Sequence, residues 1–223
     1  MAAPSRGPSF LSSIHLPALA AGRMLACPRM NLPNQLTVAR FVLTFVFVGV
    51  LSIDGIPHAG TIALLVFGIA AYTDLLDGQI ARKHNLVTNF GKLMDPLADK
   101  ILMAAGFVIL CELGFFPAWI VVVILAREFL VTGLRLVASA AGVVLAAENL
   151  GKYKTTFQII AILYFLLLLA TREPAFAWFS PVFEWRGLGP HVLGQILIWL
   201  ALILTLVSGF SYVWKNRQLL ADC

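Results

Sequence analysis

Apolar residues fill six long stretches of this chain, near 36–54, 60–83, 90–112, 116–138, 152–171 and 191–214. Each is close to the roughly 20 residues that an α-helix needs to cross a bilayer. The breaks between them carry turn formers: Gly55 and Pro57, Gly114 and Pro117, then Pro174, Pro181 and Pro190. The pattern predicts an all-α integral membrane protein with six transmembrane helices. There is no internal repeat and no low-complexity tract. Composition agrees: 60% of the 223 residues are hydrophobic and 12% charged, against about 25% charged in a soluble domain. A disordered chain, a nucleic-acid-binding module and an ordinary soluble enzyme are thereby excluded.

Charge gives the orientation. With both termini on the cytoplasmic side, only Arg172 and Arg186 of the 16 basic residues fall in outer loops, as the positive-inside rule expects. The 82–92 turn, the 139–154 connection and the Lys215–Arg217 tail then face the cytoplasm. The net charge of +5 suits a protein beside anionic lipid. Cys27, Cys111 and Cys223 share no metal or disulfide spacing, and Cys111, inside an apolar run, reads as a packing residue. Residues 1–29 stand apart, with Arg6, Arg23 and Arg29, several Ser and Pro, and no acid. They read as an extension: a disordered leader, or sequence upstream of a true start at Met30. An organelle transit peptide is the other reading. The expected organisation is this extension, a membrane domain over 30–217 and a tail over 218–223.

Four acids break the apolar pattern: Asp74, Asp77, Asp95 and Asp99. A carboxylate at the bilayer centre costs about 2.5–3.5 kcal/mol on insertion scales, so each is a functional candidate. On a helix, Asp74, Asp77, Gly78 and Ala81 share one stripe, and Gly91, Asp95 and Asp99 share another. The connection between the two helices is short, so they are antiparallel neighbours with both acid pairs near the cytoplasmic end. Pro96 would disturb the first regular turn of the second helix. Four carboxylates in one gap raise each other's pKa and need protons or cations to neutralise them. Oxygen-only ligands select hard cations, Mg²⁺, Mn²⁺ or Ca²⁺. The glycines would let a ligand approach the backbone. As alternatives, a single Asp here could be a cap or a rim charge beside Arg82, and small-residue stripes often serve helix packing.

The run Asp74-x2-Asp77-Gly78-x2-Ala81-Arg82-x8-Gly91-x3-Asp95-x3-Asp99 resembles the signature of the CDP-alcohol phosphotransferase family, without departure over residues 74–99. The resemblance implies a six-helix membrane fold and a reaction in which an acceptor hydroxyl attacks the β-phosphorus of a CDP-linked donor and CMP leaves. It implies Mg²⁺ or Mn²⁺, with a two-metal clamp, held by Asp74, Asp77, Asp95 and Asp99. Asp99 would also be the general base. Asp74, Gly78, Ala81, Arg82 and Gly91 would surround the CDP moiety, with Arg82 on its phosphates. Apart from the resemblance, Asn34 and Thr37 at the start of the first helix are expected to line the nucleotide site. A diacylglycerol-bearing donor explains the membrane setting, and family members commonly form homodimers.

The acceptor is addressed by the second half. Arg127 and Arg135 lie two turns apart on the fourth helix. An arginine as deep as Arg127 needs an anion or an internal partner, and adjacent Glu128 is expected to point elsewhere. Lys152 and Lys154 begin the fifth helix, whose N-terminus attracts anions, although basic residues there also satisfy the positive-inside rule. These segments, and the Met30-to-Arg40 stretch, resemble the bacterial phosphatidylglycerophosphate synthase branch. That implies transfer from CDP-diacylglycerol to glycerol 3-phosphate, with Arg127, Arg135, Lys152 and Lys154 on the acceptor phosphate. The expected location is the bacterial inner membrane with the site facing the cytoplasm, or the mitochondrial inner membrane if 1–29 is a transit peptide. Residues 31–40 are expected to form an interfacial entry to the first helix, with Arg40 at headgroup level. Two rivals are a cardiolipin synthase of the same family, using phosphatidylglycerol, and a cation transporter, since intramembrane acids also mark ion pathways.

Overall fold

The computed structural model describes the backbone of residues 32–84, 89–140, 149–180 and 190–217, and their side chains except at 32–34, 74–84, 89–93, 95, 96, 140, 149, 150, 152 and 190. Among the described residues there are six α-helices and no strand: α1 Leu32–Ser52, α2 Ala59–His84, α3 Asn89–Glu112, α4 Ala118–Ala140, α5 Asn149–Ala170 and α6 Pro190–Lys215. A short 3-10 turn, Ala177–Phe179, follows α5. The helices stand where the apolar runs place them, within a few residues at each end.

Their ends have local causes. Gly55, after α1, takes φ +85°, which a side chain resists. At the end of α3, Gly114 takes φ +79°. Its N–H reaches the Cys111 carbonyl at 3.0 Å, and the Phe115 N–H reaches back to Leu110 at 3.1 Å. That pair of bonds is a Schellman cap, which satisfies carbonyls the helix leaves open. The start of α2 is capped from far along the chain. The Glu173 carboxylate accepts the Gly60 N–H at 2.6 Å and the Thr61 N–H at 2.9 Å, and the Thr61 hydroxyl also donates to it.

Helix α1 lies along both α2 and α3; α5 packs on α2 and α6, and α4 on α6 and α3. Aromatic rings link the layers. Phe47 of α1 meets Phe67 of α2 at 5.5 Å between centroids, and Phe116 meets both Phe107 of α3 and Phe165 of α5. Two glycines allow close helix approach. A Cβ on Gly106 would come within 2.9 Å of Ile162, and one on Gly194 within 2.6 Å of Phe165. Cys111 packs against this core, as expected. Large apolar side chains such as Phe45, Leu65, Val122 and Phe210 point outward, which suits a lipid solvent and would be a liability in water.

Among the described residues, three segments are long and apolar enough to cross a membrane: Gln35–Ser52, Tyr153–Ala170 and His191–Lys215; Ala59–Thr73 is a shorter apolar run. Six equally apolar spans are therefore not what the helices provide. The reason is where the charges fall. Asp74, Asp77 and Arg82 occupy the last turns of α2, Asp95, Asp99 and Lys100 the first half of α3, and Arg127, Glu128 and Arg135 the middle and end of α4.

Two further expectations change. The interfacial entry at 31–40 is already helix from Leu32, and Arg40 is enclosed by protein at 1% exposure instead of facing headgroups; Thr37 is likewise buried. Pro96 does not sit in a first turn. Helix α3 starts at Asn89 and is assigned as continuous helix through Pro96.

Candidate active site

The motif acids are carried by two unbroken helices that touch each other. Asp74, Asp77, Gly78, Ala81 and Arg82 fall in the C-terminal half of α2, and Gly91, Asp95 and Asp99 in the N-terminal half of α3. The helical registers needed for the two stripes are thus present. The side chains of Asp74, Asp77, Gly78, Ala81, Arg82, Gly91 and Asp95 lie outside the described residues, as do those of Lys152 and Asn34. Among the described residues no three of His, Cys, Asp and Glu gather as a metal site.

Asp99 is described. It lines a cavity of about 30 Å³ with Lys100, Glu128, Phe129, Thr155 and Gln158. This cavity joins the acid-bearing helix to the basic segments of α4 and α5. The sequence separates the acids of α3 from the charged segment of α4; the packing of α3, α4 and α5 makes Asp99 and Glu128 line one space.

Glu128 stands at the centre of the basic cluster. Lys154, buried at 2% exposure, donates to its carboxylate. The Arg127 Nη1 lies 3.5 Å from the same oxygen. The expectation that Glu128 points away from Arg127 is therefore corrected. Adjacent helix positions differ by about 100°, but both side chains are long enough to curve toward the α5 face, where Lys154 holds the carboxylate. Lys100 and Arg127 are both close enough to Lys154 for their charges to act on it. One carboxylate thus stands among cations from three helices.

The two arginines of α4 also meet α6. Arg127 Nη2 donates to Ser208 Oγ at 3.0 Å, and Arg135 Nε donates to Tyr212 Oη at 3.3 Å. The Arg135 guanidinium lies 5.4 Å from the Tyr212 ring centroid, within cation–π range. The two-turn spacing read from sequence is what lets both arginines meet one neighbouring helix. Lys100, Gln158, Ser208 and Tyr212 were not singled out by sequence, and Glu128 was set aside as a partner. For Ser208 and Tyr212 a signal existed: polar residues recurring at helical spacing inside the apolar α6.

Comparison with known proteins bears on this arrangement. The family model described as CDP-alcohol phosphatidyltransferase matches residues 30–207. The chain belongs to the CDP-alcohol phosphatidyltransferase family. Membership decides for a group-transfer enzyme over a cation transporter. Among relatives in the CDP-alcohol phosphatidyltransferase family, the CDP-diacylglycerol–glycerol-3-phosphate 3-phosphatidyltransferase of Bacillus subtilis (strain 168) is 43% identical over 201 residues, covering 85% of this chain and 97% of the relative. A protein of the same name from Rickettsia bellii (strain RML369-C) is 36% identical over 182 residues, covering 82% and 93%.

Proposed function

We propose that this chain transfers the phosphatidyl group of CDP-diacylglycerol to glycerol 3-phosphate, giving phosphatidylglycerophosphate and CMP. The observation that carries it is the shared cavity: Asp99, last acid of the family motif, and Glu128 line the same space, and Glu128 is in turn the partner of Lys154 and Arg127. An acid able to take a proton and a basic cluster able to hold a phosphate therefore adjoin. The names of the relatives point to the same substrates.

The residues divide the work. Transfer of a phosphoryl-type group asks the protein chiefly for positioning and charge neutralisation. Arg127, Arg135, Lys152 and Lys154 hold the acceptor phosphate, which brings the acceptor hydroxyl toward Asp99. That hydroxyl oxygen bonds to the β-phosphorus, its proton passes to the Asp99 carboxylate, and the bond to the CMP oxygen breaks with its electrons leaving on CMP. Arg82 neutralises the donor phosphates, Gly78, Ala81 and Gly91 admit the nucleotide close to the backbone, and Asp74 borders it. The donor set of Asp74, Asp77, Asp95 and Asp99 is all carboxylate, on two contacting helices, and fits hard divalent cations, Mg²⁺ or Mn²⁺. Bound there, two such ions supply Lewis-acid stabilisation of the diphosphate.

The same reading includes six membrane-crossing helices, both termini and the site on the cytoplasmic face of a bacterial inner membrane, a catalytic domain over 30–217 preceded by an extension, and a homodimer. The charges in the last turns of α2 and the first half of α3 support it, because in antiparallel neighbours those stretches lie on one side, which then meets water and headgroups.

An acceptor panel tests the activity. Purified protein with labelled CDP-diacylglycerol is expected to release CMP with glycerol 3-phosphate and divalent cation present, and not with phosphatidylglycerol. Turnover with phosphatidylglycerol and none with glycerol 3-phosphate would make it a cardiolipin synthase.

A further inference from the structure

We propose that a buried polar stripe on α6, formed by Ser208, Gly209 and Tyr212, positions the α4 arginines and thereby sets the affinity for the acceptor phosphate. The proposal rests on the reading of Arg127 and Arg135 as phosphate contacts.

Helix α6 is otherwise an apolar span, yet Thr205, Ser208 and Tyr212 are all buried at 2% exposure or less. Their spacing, i, i+3 and i+7, puts them on one face. A hydroxyl buried in a span is costly unless bonded, so three on one face need partners. Each has one, and each points to the acceptor side. Thr205 Oγ1 accepts from Gln158 Nε2 at 3.1 Å, and Gln158 lines the Asp99 cavity. Ser208 gives its proton to the Thr205 carbonyl at 3.1 Å, which leaves its oxygen to accept from Arg127. Tyr212 accepts from Arg135 through its hydroxyl and carries the guanidinium against its ring.

Gly209 adds a steric argument. A Cβ there would lie 2.8 Å from Arg127 Cγ. That atom belongs to the stem of the arginine, not its mobile end, so the absence of a side chain at 209 is what lets Arg127 lie across α6. Hydroxyl, missing Cβ and aromatic ring together define where two guanidinium groups sit. Arg135 uses only Nε toward Tyr212, so the bond orients the group without engaging its terminal nitrogens. These are positioning residues: they act on the acceptor through the arginines.

A double-mutant cycle separates positioning from packing. KM for glycerol 3-phosphate and for CDP-diacylglycerol is measured in Tyr212→Phe, Arg135→Ala and the double variant, and in Arg127→Ala, Ser208→Ala, Ser208→Thr and Gly209→Ala. Tyr212→Phe and Ser208→Ala are each expected to raise KM for glycerol 3-phosphate by about three- to tenfold, the range of an ordinary net hydrogen bond acting through the arginine it orients, with a much smaller change for CDP-diacylglycerol. Ser208→Thr keeps the hydroxyl and should restore the low value. Adding Tyr212→Phe to Arg135→Ala should raise KM no further. Equal changes for both substrates, or a further rise in the double variant, would overturn the proposal. If Arg135→Ala raises the acceptor KM while Tyr212→Phe and Ser208→Ala do not, the positioning role alone fails. If Arg127→Ala and Arg135→Ala leave that KM unmoved, the acceptor-site reading fails and this inference with it. Should Gly209→Ala not fold, the two smaller changes still decide.

Discussion

Lys154 is an ammonium at 2% exposure whose carboxylate partner sits on another helix. Removing one member of a buried pair leaves the other charged and desolvated, at a cost of about 3–5 kcal/mol. Glu128→Ala is therefore expected to lower thermal stability in detergent strongly, and Glu128→Ala with Lys154→Met to recover much of the loss. An unchanged melting temperature in the single variant would show that the pair carries no such weight. At the same scale, Asp95→Asn and Asp99→Asn should each reduce CMP release by at least about a hundredfold while the protein still accumulates in the membrane. Near-normal turnover in Asp99→Asn would remove its role as base. Glu128 also shows a limit of reading side chains from spacing. Neighbours on a helix do not face each other, but Lys154, 26 positions on, draws the carboxylate round, and no local pattern announces that.

Among the elements, α2 begins on a cap supplied by Glu173, 113 positions away. Burial alone would raise the carboxyl's pKa, but bonds from the Thr61 hydroxyl, the Thr61 N–H and the Gly60 N–H, with His58 nearby, outweigh it and hold Glu173 below the ordinary value of 4.5. A lowered folded pKa means that this contribution is full above the unfolded value and is lost as pH falls through the folded one. Glu173→Gln should cost about 1 kcal/mol at neutral pH, and the gap from the parent protein should close below roughly pH 4.5. A gap that stays constant from pH 7 to pH 3 would contradict the charged cap. Gly194, packed on Phe165, makes a second element-scale case. Gly194→Ala should destabilise by about 1–3 kcal/mol through overpacking between α5 and α6, read as a lower melting temperature; an unchanged one would mean that the two helices can separate freely.

Much of this architecture was legible because helix-length apolar runs and Gly or Pro breaks are local signals. Gly114 ends α3 for a reason visible in its residue type. The Glu173 cap was not legible, since nothing within a few residues of Gly60 names its partner. The α6 stripe was visible as periodicity, yet a span tolerates a few hydroxyls, and only their partners on α4 and α5 give them meaning. The motif over 74–99 was legible as chemistry, because acids in an apolar chain have few other uses. That Asp99 shares a cavity with Glu128 was not, because it depends on how α3, α4 and α5 pack.

At the scale of the whole molecule, the proposed topology puts the C-terminal ends of α2 and α4 and the N-terminal end of α3 on one side of the membrane. Single cysteines near 86 and 216 should react with a membrane-impermeant thiol reagent from the cytoplasmic side only, and one near 175 from the other side. Labelling of all three from one side would contradict six crossings. The central claim is that carboxylates of α2 and α3 hold hard cations against the donor diphosphate, and the binding of Mn²⁺ measures it most directly. Electron paramagnetic resonance of the purified protein with CDP-diacylglycerol should show bound Mn²⁺ that disappears in an Asp77→Asn, Asp95→Asn double variant retaining the parent's helical content. Equal Mn²⁺ binding by the two proteins would contradict the account.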